Sequence, residues 1–492
     1  MIFIYLLSGL FLGWSLGAND TGNIFGAAVE TRMLKFKKAA LIASIFITLG
    51  AMFEGSGPSG TLGRLGSVDA LGGAFTVALA AAITITVIVR LGIPVSTSQT
   101  IVGAIIGWNY FSGRLTDYGS LITIASSWVL AFVLSGAIAA LLYYLIRPWV
   151  NRSRMHLMEQ DFFIRYALII VGAFGAYSLG ANNIANVVGV FVPVSPFKDI
   201  SIGNLFTISG LQQLYLMGAL SIVVGIYTFS HKVMRTVGKD LFHLSPITAL
   251  IALLAEAIVL FLFASRGLYN LLLSMHIPPI PLVPVSSTQV IVGAVVGIGL
   301  AKGGKNIRYN ILGRVSIAWV AAPVIAFFIS FVALFIFQNV FEQTVQQETA
   351  YIFDRVVITK IARDGYDTDA LAPVNGRKFD TEQDIFQELK QQDALSREAL
   401  MGIIAIAEKS PLQVDLAKIK ASGFGRNFSP EELDLLGRLQ DVKFRHKWQL
   451  SEALGQYPQF KIHRVPETEA QKNHNRLVEE KLQILYRSLR IK

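Results

Sequence analysis

Two asparagine-rich motifs interrupt apolar segments of this chain. They read GANDTGNIFG at residues 17–26 and GANNIANVVG at residues 180–189. Amide and carboxylate oxygens are hard ligands that suit a small cation, and an ionisable side chain inside an apolar segment indicates function. Asp20 is the only acidic residue of the two motifs. The candidate cation ligands are Asn19, Asp20, Asn23, Asn182, Asn183 and Asn186.

Each motif opens with a glycine, Gly17 or Gly180. Irregular backbone inside a bilayer is tolerated only where it is buried in protein or lines a wet cavity. We therefore expect both helices to break at these glycines, which would free backbone carbonyls as further cation ligands. Close packing of helices through small residues is the alternative role of the glycines.

A second pair of matching motifs offers hydroxyl groups at helix starts. PVSTSQ occupies residues 94–99 and PVSSTQ residues 284–289, each before a short apolar stretch. A helix N-terminus is a ready anion site, so two such loops facing each other would cage a tetrahedral oxyanion. The alternative is that the hydroxyls only bond within helices. The candidate anion ligands are Arg90, Ser96, Thr97, Ser98, Gln99, Ser286, Ser287, Thr288 and Gln289.

Arg90, Glu30, Glu54 and Glu256 lie within or beside apolar runs but outside the four motifs. Arg90 could neutralise part of the anion's charge or could snorkel to the cytoplasmic face. Glu256 lies nearest the centre of an apolar run and is the best functional candidate among these acids, whereas Glu30 and Glu54 could simply mark segment ends.

The composition is that of a membrane protein rather than a soluble enzyme. Of the 492 residues, 53% are hydrophobic and 15% are charged, with a mean hydropathy of +0.52. The chain lacks cysteine, which excludes disulfides and thiolate metal sites. It also lacks a catalytic triad, a phosphate-binding P-loop and zinc-ligand spacing, so we expect neither an enzyme nor a resident cofactor.

The expected topology follows from the apolar segments whose lengths approach the roughly 20 residues of a membrane helix. They lie near residues 2–16, 39–53, 73–91, 119–146, 163–190, 205–229, 246–265 and 313–337. The stretches 99–108 and 289–300 are too short to span, which predicts two re-entrant hairpins. Basic residues, which favour the cytoplasm, form four clusters: Arg32, Lys35, Lys37 and Lys38; Arg147, Arg152, Arg154 and Arg165; Lys232, Arg235 and Lys239; and Lys302, Lys305, Arg308 and Arg314.

With these clusters inside, the two hairpins enter from opposite faces, so the two halves form an inverted repeat. The IVGA(I/V)(I/V)G sequence after each PVS motif supports the duplication, and paired interrupted helices are typical of secondary transporters. We predict an all-α polytopic membrane protein with broken helices and two re-entrant hairpins. Its parts are repeat 1 at 1–150, the inverted repeat 2 at 151–340, and a soluble, mainly helical domain at 341–492.

Residues 341–492 differ from the rest of the chain in charge. They carry 23 basic and 23 acidic residues, so the whole excess of ten positive charges lies in residues 1–340. Ser396 and Ser429 are predicted helix N-caps, and Glu432 completes a capping box with Ser429. The DGYDTD turn at 364–369 hints at calcium but lacks the downstream glutamate of an EF-hand.

Over residues 1–337 the chain resembles the inorganic phosphate transporter (PiT) family. GANDTGN matches the family's repeated G-A-N-D-x-(A/G)-N motif fully, GANNIAN matches it with Asn183 in place of aspartate, and the PVS loops are similar to the family's P-(I/V)-S-x-(S/T)-(H/Q). The resemblance implies cation-coupled phosphate uptake, often with sodium. It also implies that Asp20, Asn23 and Asn186 bind cations and that the Ser/Thr/Gln loops bind the anion.

Two departures from the family pattern stand out. Asn183 removes one carboxylate, which leaves open the number and identity of the coupling cations. Because sulfate carries no proton near neutral pH, a site with fewer acceptor carboxylates discriminates less against it, so a sulfate permease is the alternative. The second departure is the insertion LYNLLLSMHIPPIPLVP at 268–284, for which the sequence suggests no role.

We therefore expect an alternating-access transporter of phosphate coupled to sodium, with a proton as the alternative coupling ion. An anion channel is a lesser alternative, and a membrane enzyme or sensor lacks a catalytic constellation. The expected location is the inner (plasma) membrane, with the N-terminus and residues 341–492 outside, unless residues 266–283 add a crossing. The bilayer is one partner, a second copy of the chain is another candidate, and we expect no nucleic acid.

Overall fold

A computed structural model describes most of the chain as two compact units. It covers residues 2–66, 68–152, 156–195, 197, 199–202, 206–231, 244–304, 309–390, 395–421, 428–463 and 469–491. The membrane unit comprises residues 1–111, 116–197 and 210–346, and the C-terminal unit comprises residues 112–115, 198–209 and 347–492. The third basic cluster (232–239), Arg154, Lys305 and Arg308 lie outside the described residues.

The membrane unit is helical. Its first half contains α1 (Ile2–Glu30), α2 (Phe36–Glu54), α3 (Ser56–Leu65), α4 (Leu71–Arg90), α5 (Thr97–Ser112) and α6 (Tyr118–Arg152). Its second half contains α7 (Leu157–Val188) with a 3₁₀ turn at Gly189–Phe191, α8 (Gly210–Gly225) with a π turn at Ile226–Ser230, α9 (Pro246–Leu262), α10 (Arg266–Ser274), α11 (Ser287–Ala301) and α12 (Tyr309–Asn339).

Several of these helices have the length and composition to cross a bilayer. Among the described residues, α2, α4, α6, α7 and α12 each contain an apolar stretch of at least 18 residues, as does α8 together with its π turn, and α9 and α10 form a pair bent by 67°. At 16 and 15 residues, α5 and α11 are shorter than a full crossing. The chain is therefore a multi-span helical membrane protein.

The predicted helix breaks at the GAN motifs are wrong. The first motif lies inside the continuous helix α1, and the second lies inside α7 except for Gly189, which follows the last residue of that helix. A Cβ atom on Gly17 would lie 2.0 Å from the Ile222 carbonyl oxygen, and one on Gly180 would lie 2.1 Å from that of Ile47. The glycines therefore let α1 approach α8 and α7 approach α2, the packing role that the sequence left as the alternative.

The insertion before the second PVS loop forms a short exposed helix. Most of it lies in α10 and the extended chain after it, and none of the α10 side chains is buried. Leu271 and Met275 are both more than half exposed. Glu54, the last residue of α2, accepts the Arg266 backbone N–H at 2.9 Å. This acid therefore satisfies a donor in the first turn of α10.

The C-terminal unit mixes short helices with small sheets. Its helices are α13 (Arg355–Arg363), α14 (Glu382–Lys390), α15 (Arg397–Ala407), α16 (Leu416–Ala421), α17 (Pro430–Arg438), α18 (Lys447–Gly455) and α19 (Glu469–Ser488). Its strands are β1 (Ile200–Ile202), β2 (Phe206–Ile208), β3 (Ala350–Ile352), β4 (Lys378–Phe379), β5 (Glu408–Lys409), β6 (Leu412–Gln413) and β7 (Lys443–Phe444). They pair antiparallel as β1–β2, as β4–β3–β5 and as β6–β7.

These strands correct the all-α prediction, although the fold remains mostly helical. Strands of two or three residues are too short to show an alternating apolar pattern. The two predicted N-caps are confirmed: Ser396 accepts the Ala399 N–H, and Ser429 forms a capping box with Glu432. In the DGYDTD turn, Asp364 pairs with Lys360, as in an ordinary polar turn.

Candidate functional site

The two PVS loops present their first serines as caps of the helices that follow. Ser96 Oγ accepts the backbone N–H of Gln99 at 3.2 Å, and Ser286 Oγ accepts that of Gln289 at 3.2 Å. Each capping hydroxyl uses an oxygen lone pair in this bond, which leaves its own hydrogen for another acceptor. Both N-termini therefore offer a donor where the helix dipole favours negative charge.

Asp20 lies at the centre of the buried polar cluster. Its Oδ1 accepts Asn19 Nδ2 at 2.6 Å, and its Oδ2 accepts Thr97 Oγ1 and Asn183 Nδ2, each at 3.2 Å. These donors come from α1, α5 and α7. The structure thus brings the two GAN motifs and the first PVS loop together around one carboxylate.

Reciprocal bonds join each half to the loop of the other. Ser98 Oγ donates to the Val285 carbonyl at 3.0 Å, and Thr288 Oγ1 donates to the Val95 carbonyl at 3.2 Å. Asn186 in turn donates to Ser98 Oγ at 2.9 Å. The corresponding residue of the first motif, Asn23, lies 3.4 Å from both Ser287 Oγ and Thr288 Oγ1. The hydroxyls of Ser98 and Thr288 therefore hold the two loops against each other.

The third residue of each GAN motif anchors a loop backbone. Asn19 Nδ2 donates to the Val95 carbonyl at 2.9 Å. Asn182 accepts the Val285 N–H at 2.9 Å and donates to the Val283 carbonyl at 3.0 Å. Neither PVS loop has regular secondary structure before its helix, so these amides supply hydrogen bonds that the loop backbone does not make within a helix or sheet.

The cluster is buried and contains several oxygens that lack a hydrogen-bond partner among the described residues. Except for Arg90, every predicted ligand is at most 8% exposed. The buried oxygens that lack a hydrogen-bond partner among the described residues of this region are Asn19 Oδ1, Asn186 Oδ1, Gln99 Oε1, Gln289 Oε1 and both carboxylate oxygens of Glu256. Because unpaired buried acceptors are costly, they indicate ligands that supply positive charge or hydrogen.

Arg90 and Glu256 have opposite placements. Arg90 is exposed at the last position of α4, and within the described ranges no hydrogen bond joins it to the cluster. This placement favours the snorkelling role over anion binding. Glu256 is fully buried in α9 and lies within electrostatic range of Asp20. Glu256, which the sequence analysis names as the best functional candidate among these acids, therefore lies in the region of the polar cluster.

The glycines after each PVS loop are packing residues that the sequence analysis left without a role. A Cβ on Gly103 of α5 would lie 2.1 Å from the Pro323 carbonyl oxygen, and one on Gly297 of α11 would lie 2.0 Å from that of Gly136. The repeated IVGA(I/V)(I/V)G sequence therefore lets α5 approach α12 and α11 approach α6. The four-residue glycine spacing was the signal that could have revealed this packing.

Comparison with known proteins agrees with this architecture. The sequence profile described as the phosphate transporter family matches residues 16–330 and 280–491. The chain belongs to this family, and it is therefore a membrane transport protein of the phosphate transporter class.

Individual relatives match about two thirds of the chain. A protein of Methanocaldococcus jannaschii named as a phosphate permease is 28% identical over 327 residues, which is 66% of this chain and 95% of that protein. One of Thermococcus kodakarensis is 24% identical and covers 67% of this chain and 96% of its own length. A solved structure described as the sodium-dependent phosphate transporter has a TM-score of 0.56 at 22% identity, covering 68% of this chain and 98% of that one. About a third of this chain lies outside each of these three alignments.

Proposed function

We propose that this protein is a cation-coupled secondary transporter of inorganic phosphate that works by alternating access. The observation that carries the proposal is the sealed polar cluster, in which Asp20, the GAN asparagines and both PVS loops are buried together. A polar site inside a membrane unit indicates a transport pathway. Because every residue of this cluster is at most 8% exposed, a ligand can reach or leave it only if the helices move.

A narrow cavity beside Asn23 supports the proposal that the structure represents a closed state of the transporter. It holds about 10 Å³ and is lined mainly by small and apolar side chains of α1, α9 and α11, such as Ala27, Ala252 and Ile291. That volume is about enough for one water molecule and too small for phosphate. A channel would require a continuous pore, whereas the polar cluster is buried, and this burial favours a transporter that opens to one side at a time.

Sodium is the proposed coupling ion. Asp20 supplies the negative charge, and Asn19 and Asn186 supply amide oxygens that have no partner among the described residues. Glu256 adds a second carboxylate nearby. Hard oxygen ligands of this kind suit a small cation, and the structural neighbour is described as sodium-dependent. The anion is proposed to lie at the N-termini of α5 and α11, near the Ser96 and Ser286 hydroxyls.

The inverted repeat and the two re-entrant hairpins also remain proposals. Their support is the reciprocity of the contacts, since Ser98 bonds Val285 as Thr288 bonds Val95. The glycine packing of α1 on α8 and of α7 on α2 is reciprocal in the same way. We place the domain boundaries at 1–150, 151–340 and 341–492, and a homodimer stays a prediction.

We further propose that the N-terminus and residues 341–492 lie outside the cell membrane. At nine residues, α10 is too short to add a crossing, so the topology set by the basic clusters is unchanged. The connection between α5 and α6, expected outside, belongs to the same compact unit as residues 347–492. Within that unit Glu382 accepts the Leu115 N–H at 2.8 Å.

Uptake of labelled phosphate into proteoliposomes tests the function. We expect saturable uptake that accumulates phosphate transiently when an inward sodium gradient is imposed. A proton gradient with potassium in place of sodium measures the alternative coupling ion, and unlabelled sulfate measures the alternative substrate. Phosphate flux that only equilibrates under either cation gradient would indicate a channel and contradict the proposal.

Cysteine labelling tests the topology cleanly, because the chain has no cysteine of its own. A membrane-impermeant maleimide should label an exposed Glu431→Cys variant in intact cells. The matched variant Lys37→Cys, in the first basic cluster, should react only after lysis. Protection of Glu431→Cys in intact cells would place residues 341–492 in the cytoplasm.

A further inference from the structure

Two glutamines occupy equivalent positions in the two halves of the site. Gln99 is the third residue of α5 and Gln289 the third residue of α11. Their backbone N–H groups are used by the Ser96 and Ser286 caps. Both side chains are more than nine-tenths buried, and neither amide oxygen has a hydrogen-bond partner among the described residues. A buried acceptor without a partner at two related positions indicates a ligand rather than a packing accident.

The local electrostatics decide which kind of ligand these oxygens face. An amide oxygen accepts either a cation or a hydrogen-bond donor. Gln99 and Gln289, however, lie in the first turns of helices, where unpaired N–H groups and the helix dipole create partial positive charge. That field disfavours a bare cation and favours an anion. The ligand that satisfies both conditions is an anion that also carries an O–H group.

We propose that Gln99 and Gln289 select protonated tetrahedral oxyanions by accepting their O–H groups. The proposal rests on the proposed function of the site. Near neutral pH phosphate and arsenate keep at least one proton, whereas sulfate keeps none and presents only acceptors. Sulfate in the same place would set its oxygens against the two amide oxygens and leave both unpaired. A site built to hydrogen-bond a substrate O–H rejects an analogue that lacks it.

The asparagine oxygens that lack a partner among the described residues do not lie at helix N-termini. Asn19 and Asn186 lie inside long helices, away from the first turns, and Asn19 is bonded to Asp20. Their oxygens therefore suit the coupling cation. The two glutamines are thus assigned to the anion and the two asparagines to the cation, although all four side chains carry the same amide group.

Competition with labelled phosphate uptake tests this assignment, using unlabelled arsenate, sulfate and monofluorophosphate. Monofluorophosphate resembles phosphate in shape but has fluorine in place of the hydroxyl and is unprotonated near neutral pH. In the wild type we expect arsenate to compete strongly and sulfate and monofluorophosphate to compete weakly. Gln99→Met and Gln289→Met should each weaken phosphate about tenfold relative to sulfate. The contrasting variant Ser96→Ala, which removes a donor, should weaken all four anions alike.

The possible results separate this inference from the function. If monofluorophosphate and sulfate compete with the wild type as well as arsenate does, the selectivity is absent and the inference is wrong, even though phosphate transport stands. Equal loss of phosphate and sulfate affinity in the glutamine variants would also overturn it. Wild-type proteoliposomes that show no cation-driven phosphate uptake would instead refute the proposed function. Because the first comparison uses only the wild type, it does not depend on the folding of any variant.

Discussion

The two GAN motifs share a sequence pattern but contribute different hydrogen-bonding groups to the structure. In α1 the motif supplies Asp20, a carboxylate that accepts bonds from Asn19, Thr97 and Asn183. In α7 the equivalent residue, Asn183, supplies one of those donors, 3.2 Å from Asp20 Oδ2. A carboxylate at position 183 would face Asp20 across the same gap. Because Asn183 replaces the aspartate of the family motif, this position in the second motif donates a hydrogen bond to Asp20, the equivalent position in the first motif.

The largest expected effect comes from removing the single carboxylate of the pair. We expect Asp20→Asn to abolish cation-dependent phosphate uptake, because no other acid lies in either motif. The protein should still fold, since the substitution keeps the shape of the side chain. Uptake in proteoliposomes and a monodisperse elution profile in detergent measure the two properties.

The matched variant Asn183→Asp sharpens the same comparison. It places a second carboxylate against the first, and two like charges at that distance cannot both ionise easily. We expect reduced uptake that recovers partly as the pH is lowered. Wild-type uptake in Asp20→Asn, or full activity of Asn183→Asp at alkaline pH, would show that the two positions are not a functional pair.

The glycines of the two motifs should behave alike, in contrast to the acid. Gly17→Ala and Gly180→Ala each place a methyl group about 2 Å from a backbone carbonyl oxygen. Overpacking of this kind costs about 1–3 kcal/mol, so both variants should unfold at lower temperature in detergent. The control is Gly63→Ala in α3, where a Cβ meets nothing within 4 Å. Unchanged melting of both motif variants would contradict the close approach of these helices.

The two capping serines should also give equal effects. Ser96→Ala and Ser286→Ala each remove a donor proposed to face the anion, with a loss of about 1–3 kcal/mol for a charged partner. We expect KM for phosphate to rise about tenfold in either variant while the dependence on the cation is kept. Saturation kinetics at fixed sodium measure this. A wild-type KM in both variants would remove these hydroxyls from the anion site.

The smallest expected effect lies outside the membrane unit. Burial lowers the pKa of His446 below its usual 6.5, against opposing effects of the Glu408 carbonyl and Asp354. A histidine held neutral in the folded state stabilises it at higher pH, and this contribution is lost as the pH falls below 6.5. Burial raises the pKa of Glu408, but Lys447 at 2.9 Å more than reverses this. Its contribution is therefore lost only in stronger acid.

Limited proteolysis of the full-length protein across this pH range measures the effect. Residues 347–492 should become more susceptible as the pH falls below 6.5, and His446→Gln should flatten that dependence. An equal pH dependence in the variant and the wild type would assign the change to other groups.

Repeated motifs were the part of the site that could be predicted from sequence. The GAN and PVS segments are polar within apolar surroundings, and the structure buries them together. Helix continuity could not be predicted, because glycine permits either a break or close packing, and only the neighbouring backbone at Ile222 and Ile47 decides between them. The position of Glu256 near Asp20 and the short strands depend on contacts between distant segments, which no local pattern encodes.

The bond between Leu115 and Glu382 joins residues 267 positions apart. At a synthesis rate of about 5–20 residues per second, Glu382 is therefore added to the chain on the order of tens of seconds after Leu115, which lies in the connection between α5 and α6. The C-terminal unit, which contains both residues, can close only after every later helix of the membrane unit has been synthesised. Its closure is therefore a late event in biogenesis.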